Sequence, residues 1–121
     1  MYSAQLLEHF QNPRNVGELD SDPRAVRIEI SNPACGDIIR LAARFEDGVV
    51  SAVRYKIRGC TASIAAGSVL TELMTGARRE ALAAIRASDI EAALGGLEPA
   101  SKHAAILCVD ALKRLLETHG V

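Results

Sequence analysis

The stretch VRIEISNPACGDIIRLAARFEDGVVSAVRYKIRGC, residues 26–60, decides the fold. Apolar residues alternate in three runs: Val26, Ile28 and Ile30 against Arg27 and Glu29; then Ile39, Leu41, Ala43 and Phe45; then Val49, Val53, Tyr55 and Ile57. A period of two marks half-buried antiparallel strands. The turn between the second and third runs sets their register. A two-residue Asp47-Gly48 turn pairs Leu41 with Arg54 and mixes the faces. A three-residue Glu46-Asp47-Gly48 loop pairs Phe45 with Val49, Leu41 with Val53 and Ile39 with Tyr55, so one face stays apolar. The hydrophobic pattern selects the second register. Carried down the ladder, it predicts Asp37 opposite Ile57 and Cys35 opposite Gly59, beside Cys60.

Upstream, Leu6, Leu7 and Phe10 share a helical spacing over Ser3 to Phe10, and Asn12-Pro13 ends that helix. Downstream the period changes to 3.6, predicting helices near 61–75, 79–86, 88–94 and 101–118, punctuated by Gly76, Gly95-Gly96 and Pro99. Strands followed by helices predict an α+β fold: a three-stranded antiparallel sheet with helices packed on one face, a short N-terminal helix and a long C-terminal one. At 121 residues the expectation is a single domain spanning residues 1–121. Hydrophobic residues at 49% and charged ones at 24% exclude disordered and fibrous classes. Aromatics are only 3% while alanine occurs twenty times, so the core is aliphatic and its elements approach closely.

A formal charge of −1 provides no field to hold a nucleic acid. No apolar run reaches membrane-span length, and Glu8 falls where a signal peptide is apolar, which predicts a cytoplasmic protein without a membrane partner. Three cysteines at long spacings, in a chain large enough to need no staples, suit metal binding or chemistry better than disulfides.

Cys35 lies in the turn-rich Asn32-Pro33-Ala34-Cys35-Gly36-Asp37 connection, with the Asp37 carboxylate two residues on. Cys60 opens the small-residue helix from Thr61, where the positive helix end favours its thiolate. His103 follows Ser101, a candidate N-cap, so the same dipole favours a neutral imidazole. Taken singly, a cysteine is a small hydrophobe and a histidine a surface residue. Together Cys35, Asp37, Cys60 and His103 offer two S, one N and one O donor, a set suited to tetrahedral Zn²⁺ or iron. The hairpin and helix starts gather the first three; spacing alone does not bring in His103.

The run His9-Phe10-Gln11-Asn12-Pro13-Arg14-Asn15-Val16-Gly17, the Pro33-Ala34-Cys35-Gly36-Asp37 loop, Gly59-Cys60 and His103 resemble, in order over essentially the whole chain, the iron–sulfur cluster assembly scaffold family. This is the IscU type, also found as the N-terminal domain of NifU. The resemblance implies a non-enzymatic carrier. On it a transient [2Fe–2S] cluster is built from iron and from sulfur delivered by a cysteine desulfurase, then passed to apo iron–sulfur proteins. It also implies that Cys35, Asp37, Cys60 and His103 are the ligands, Asp37 keeping the cluster labile because a hard oxygen donor leaves more readily than a fourth sulfur.

Two departures stand out. The family's third cysteine, directly after this histidine, is Ala104 here. Cys108 shares its helix face but lies about 6 Å further along the axis. It serves as an additional thiol only if the helix slides, and otherwise packs with Leu107, Ala111 and Leu112. Leu97-Glu98-Pro99-Ala100-Ser101 replaces the family's Leu-Pro-Pro-Val-Lys segment, which argues against an Hsp70-type chaperone partner. Two rival readings follow: a zinc-dependent acceptor that takes a persulfide from the desulfurase, and an adaptor without cluster chemistry. The adaptor would use the sheet's outer face, where Arg27, Arg40, Arg44, Arg54, Lys56 and Arg58 face only Glu29.

Overall fold

The computed structural model describes residues 2–32 and 36–118. In chain order the elements are α1 (Ala4–Gln11), β1 (Val26–Asn32), β2 (Asp37–Glu46), β3 (Val49–Arg58), α2 (Thr61–Met74), α3 (Arg79–Ala83), α4 (Ala87–Ala93) and α5 (Lys102–Thr118). The strands form one antiparallel sheet in the order β1-β2-β3. Against one face, α5 covers β1 and β2 while α2 covers β3, and α1 packs on α2. The α+β architecture read from the alternation is therefore the one observed.

The alternation also predicted the buried face. Ile39, Leu41, Ala43, Val53 and Tyr55 are core residues, packed on Ala62, Ala65, Ala66, Val69 and Leu70 of α2 and on Leu107, Leu112 and Leu115 of α5. Small side chains let α2 lie close to the sheet. Tyr55 reaches across to donate its hydroxyl to the Ile64 carbonyl at 2.8 Å, and burial raises its pKa.

The hairpin register differs from the expected one. Asp47 (φ 54°) and Gly48 (φ 77°) both lie in the left-handed region and form a two-residue turn that pairs Glu46 with Val49. A bulge after Arg44 then slips the ladder, so that Ala43 faces Val53, Leu41 faces Tyr55 and Ile39 faces Ile57. The tight Asp-Gly turn and the apolar face are thus reconciled by one unpaired residue, which hydrophobic alternation alone does not reveal. The faces are those predicted, but Leu41 and Ile39 each meet a residue two positions further along β3, and Phe45 meets Val50 in place of Val49. Continued past Ile38–Arg58, the ladder brings Asp37 level with Gly59 rather than Ile57, directly before Cys60.

The helical stretch also needs correction at its boundaries. A 3₁₀ turn over Pro99–Ser101 runs into α5 at Lys102, so Ser101 sits inside the turn instead of at an extended cap. The helix expected over 79–86 stops at Ala83, and Asp89 accepts from the Arg86 amide at 2.8 Å to open α4.

The outer face of the sheet is not a free basic stripe. The segment after Gly17 crosses it: Glu18 pairs with Arg40 (3.1 Å) and Lys56 (3.6 Å), Asp20 with Arg27 (3.6 Å) and Asp22 with Arg44 (3.2 Å). Glu29 and Glu46 add further partners to Arg40 and Arg44. Four of the six cations assigned to an adaptor surface are thereby paired within the chain. The sequence reading counted strand residues and left out the acidic crossing segment.

The run from His9 to Gly17 is a clamp. His9 Nδ1 lies 2.8 Å from the Ser68 hydroxyl, which also accepts from the Arg14 amide at 3.0 Å. Asn15 reaches Thr71 Oγ1 at 3.1 Å, and its carbonyl accepts from the Tyr55 amide at 3.0 Å. The motif thus fixes the N-terminal segment to α2 and to the edge of β3.

Candidate metal centre

Three of the four predicted donors converge. Asp37 starts β2, Cys60 is the N-cap of α2 and His103 lies in the first turn of α5, so separate elements bring one donor each. One ligand atom from each lies within 4.8 Å of the others. His103 Nε2 is 3.4 Å from Asp37 Oδ2 and 3.8 Å from Cys60 Sγ. Bonds of about 2.0–2.3 Å to a tetrahedral ion put its ligand atoms about 3.3–3.8 Å apart. The two measured separations therefore match the edges of a coordination tetrahedron.

Local hydrogen bonds aim these atoms. The Ala100 carbonyl, an acceptor only, lies 3.0 Å from His103 Nδ1, so Nδ1 carries the proton. The lone pair of a neutral ring is then on Nε2, facing the sulfur and the carboxylate. An imidazole lone pair, a carboxylate oxygen and a sulfur pointed at one another need a proton or a cation between them. A soft S, a borderline N and a hard O together suit Zn²⁺ or iron.

Asp37 is 4% exposed and sits in a slot. On one side is Gly59, where a Cβ would come within 2.7 Å of the Asp37 Cγ, so any side chain at 59 would push the carboxylate away. On the other is Ser63, fully buried, whose hydroxyl donates to Asp37 Oδ2 at 2.5 Å and lies 3.2 Å from Cys60 Sγ. Sequence reasoning missed Ser63. The available signal was its place three residues after the cysteine that caps α2, where a side chain faces the cap.

Cys35 lies outside the described residues. Cys108 does not join the donors found among the described residues: it is fully buried in the core, and burial pushes its thiol up to about 12. Its side chain lies within the hydrophobic core cluster. Ala104, in the place of the family's third cysteine, is also fully buried.

Fold and donors together define a small α+β fold that gathers a carboxylate, a thiol and an imidazole in an arrangement able to hold a metal ion. The chain belongs to the NifU-like N-terminal domain family, whose pattern matches residues 1–119. It is 43% identical over 120 residues to a bifunctional NifU/MnmA protein of Rubrobacter xylanophilus, covering 98% of this chain but only 24% of that relative's length. It is 38% identical over 114 residues to the iron–sulfur cluster assembly scaffold protein IscU of Azotobacter vinelandii, covering 93% of this chain and 88% of the relative. Among solved structures, a NifU-like N-terminal protein of Brucella abortus superposes with a TM-score of 0.75 at 22% identity, over 96% of this chain and 92% of that one, a likeness of fold. Among the described residues no helix is long and apolar enough to cross a membrane.

Proposed function

We propose that this chain is a scaffold on which a labile [2Fe–2S] cluster is assembled as cargo and from which it is passed to apo iron–sulfur proteins. Cys35, Asp37, Cys60 and His103 would hold the iron, and a cysteine desulfurase would supply the sulfur. The observation that carries this reading is the convergence of carboxylate, thiol and imidazole at ligand-to-ligand distances. Relatives named as cluster scaffolds, at 36–38% identity, support it over a zinc-dependent persulfide relay. The protein acts by holding and releasing rather than by turnover. With Ala104 in place of a thiol, two thiolates, one carboxylate and one imidazole still make four donors, but they hold iron less tightly than three thiolates would. We place the protein in the cytoplasm, where its thiols stay reduced.

Anaerobic reconstitution with ferrous iron and sulfide tests the proposal. A visible cluster chromophore is expected, absent in Cys35→Ala and in Cys60→Ala, and transferable to an apo [2Fe–2S] protein. Wild-type protein that takes up neither iron nor sulfide would overturn it.

A further inference from the structure

Ser63 occupies a position that packing alone would give to alanine. It lies in the first turn of α2 beside Ala62, Ala65 and Ala66, is fully shielded from solvent, and carries a hydroxyl that is costly to bury unless bonded. That hydroxyl is committed to the candidate centre. Its one proton goes to Asp37 Oδ2 at 2.5 Å, leaving its oxygen lone pairs toward Cys60 Sγ at 3.2 Å. Oδ2 is also the oxygen 3.4 Å from His103 Nε2. Among the described residues the Ser63 hydroxyl is the one side-chain group that donates a hydrogen bond to Asp37, since His103 turns a lone pair toward it.

We propose that Ser63 is a positioning residue of the metal centre, its buried hydroxyl holding the Asp37 carboxylate turned toward His103 and Cys60 so that an incoming metal ion meets three aligned donors. The inference rests on the ligand set proposed above. Gly59 gives the carboxylate room but no polar contact to orient it. Without Ser63 the carboxylate can rotate about χ2 and offer its oxygens in other directions, and the metal would have to align it on binding. Loss of such an outer partner weakens metal binding about 10–100-fold.

The test uses Zn²⁺ alone as the probe, titrated into the reduced full chain against a chromophoric chelator, with thermal unfolding of each metal-free chain recorded in parallel. Ser63→Ala is expected to bind Zn²⁺ about 10–100-fold more weakly, and Ser63→Thr, which keeps the hydroxyl, to restore binding. In an Asp37→Ala background the Ser63→Ala change should add no further loss, because the two residues act through one contact. Wild-type affinity in Ser63→Ala, or a loss that persists undiminished without the Asp37 carboxylate, would overturn the proposal. Should Ser63→Ala fail to fold, Ser63→Thr against the isosteric Ser63→Val isolates the hydroxyl, and equal affinities overturn it. If the wild type does not bind Zn²⁺, or binds it equally well as Cys60→Ala, the ligand set fails and the role of Ser63 with it. Cys60-dependent binding that ignores Ser63 removes only the latter.

Discussion

Ser63 and Ser68 lie five residues apart on α2, both fully buried, yet their hydroxyls are put to different uses. Ser68 takes the imidazole of His9 and the amide of Arg14, and so holds the N-terminal segment against the helix. Ser63 takes Asp37 and faces Cys60, so it holds donors rather than chain. In a helix made largely of alanine and other small residues, a buried hydroxyl marks an anchoring point, and what it anchors separates a fold determinant from a site determinant. Changes in the first turn of α2 and at its middle should accordingly move different observables.

The largest expected effect is at the candidate centre. Gly59→Ala puts a methyl group into the Asp37 slot, 2.7 Å from Cγ, and should weaken Zn²⁺ binding by about 10–100-fold, as for a displaced ligand support, while the far-ultraviolet spectrum stays native. Unchanged affinity would mean that the carboxylate is not a ligand. At the clamp, Ser68→Ala leaves the Arg14 amide and His9 without their partner and should cost about 1–3 kcal/mol in denaturant unfolding. Its Zn²⁺ affinity should stay at the wild-type level, and a parallel loss of both would erase the distinction between the two serines.

The cysteines extend the comparison. Cys60 is half-buried and should react with iodoacetamide in the native state, whereas Cys108 should react only on unfolding. Burial raises the Cys108 thiol from 9.0 to about 12, so the folded chain keeps a proton that the unfolded chain gives up. Its contribution is therefore fully present below pH 9 and is lost as pH rises from 9 toward 12, and Tyr55, also raised by burial, acts in the same direction. Alkaline unfolding followed by circular dichroism should show this decline, less steep in Cys108→Ala. The smallest effect belongs to the outer face: Arg40→Ala breaks exposed pairs with Glu18 and Glu29 and should cost under about 1 kcal/mol, vanishing at high salt.

Alternation over residues 26–57 was enough to read the sheet and its buried face, because the side chains of a one-sided sheet must follow its period. The register was not legible, since a bulge after Arg44 answers to the turn conformation at Asp47-Gly48 and not to hydrophobicity. Asp37, Cys60 and His103 were legible as a donor set by chemistry, but His103 joined them only through the packing of α5 across the sheet, a long-range arrangement that no local spacing encodes. Ser63 was hidden because serine in a small-residue helix looks like any other small residue until its neighbours are known. The basic stripe misled because its partners, Glu18, Asp20 and Asp22, come from a connection that no strand pattern covers.

The central claim is that Asp37, Cys60 and His103 belong to one metal centre, and anaerobic Co²⁺ titration followed by visible absorption tests it most directly. Intense tetrahedral ligand-field bands with thiolate-to-cobalt charge transfer are expected for the wild type, with the charge transfer diminished in Cys60→Ala and the ligand-field bands altered in both Asp37→Ala and His103→Ala. A cobalt spectrum that survives unchanged in any one of these three variants would contradict the account.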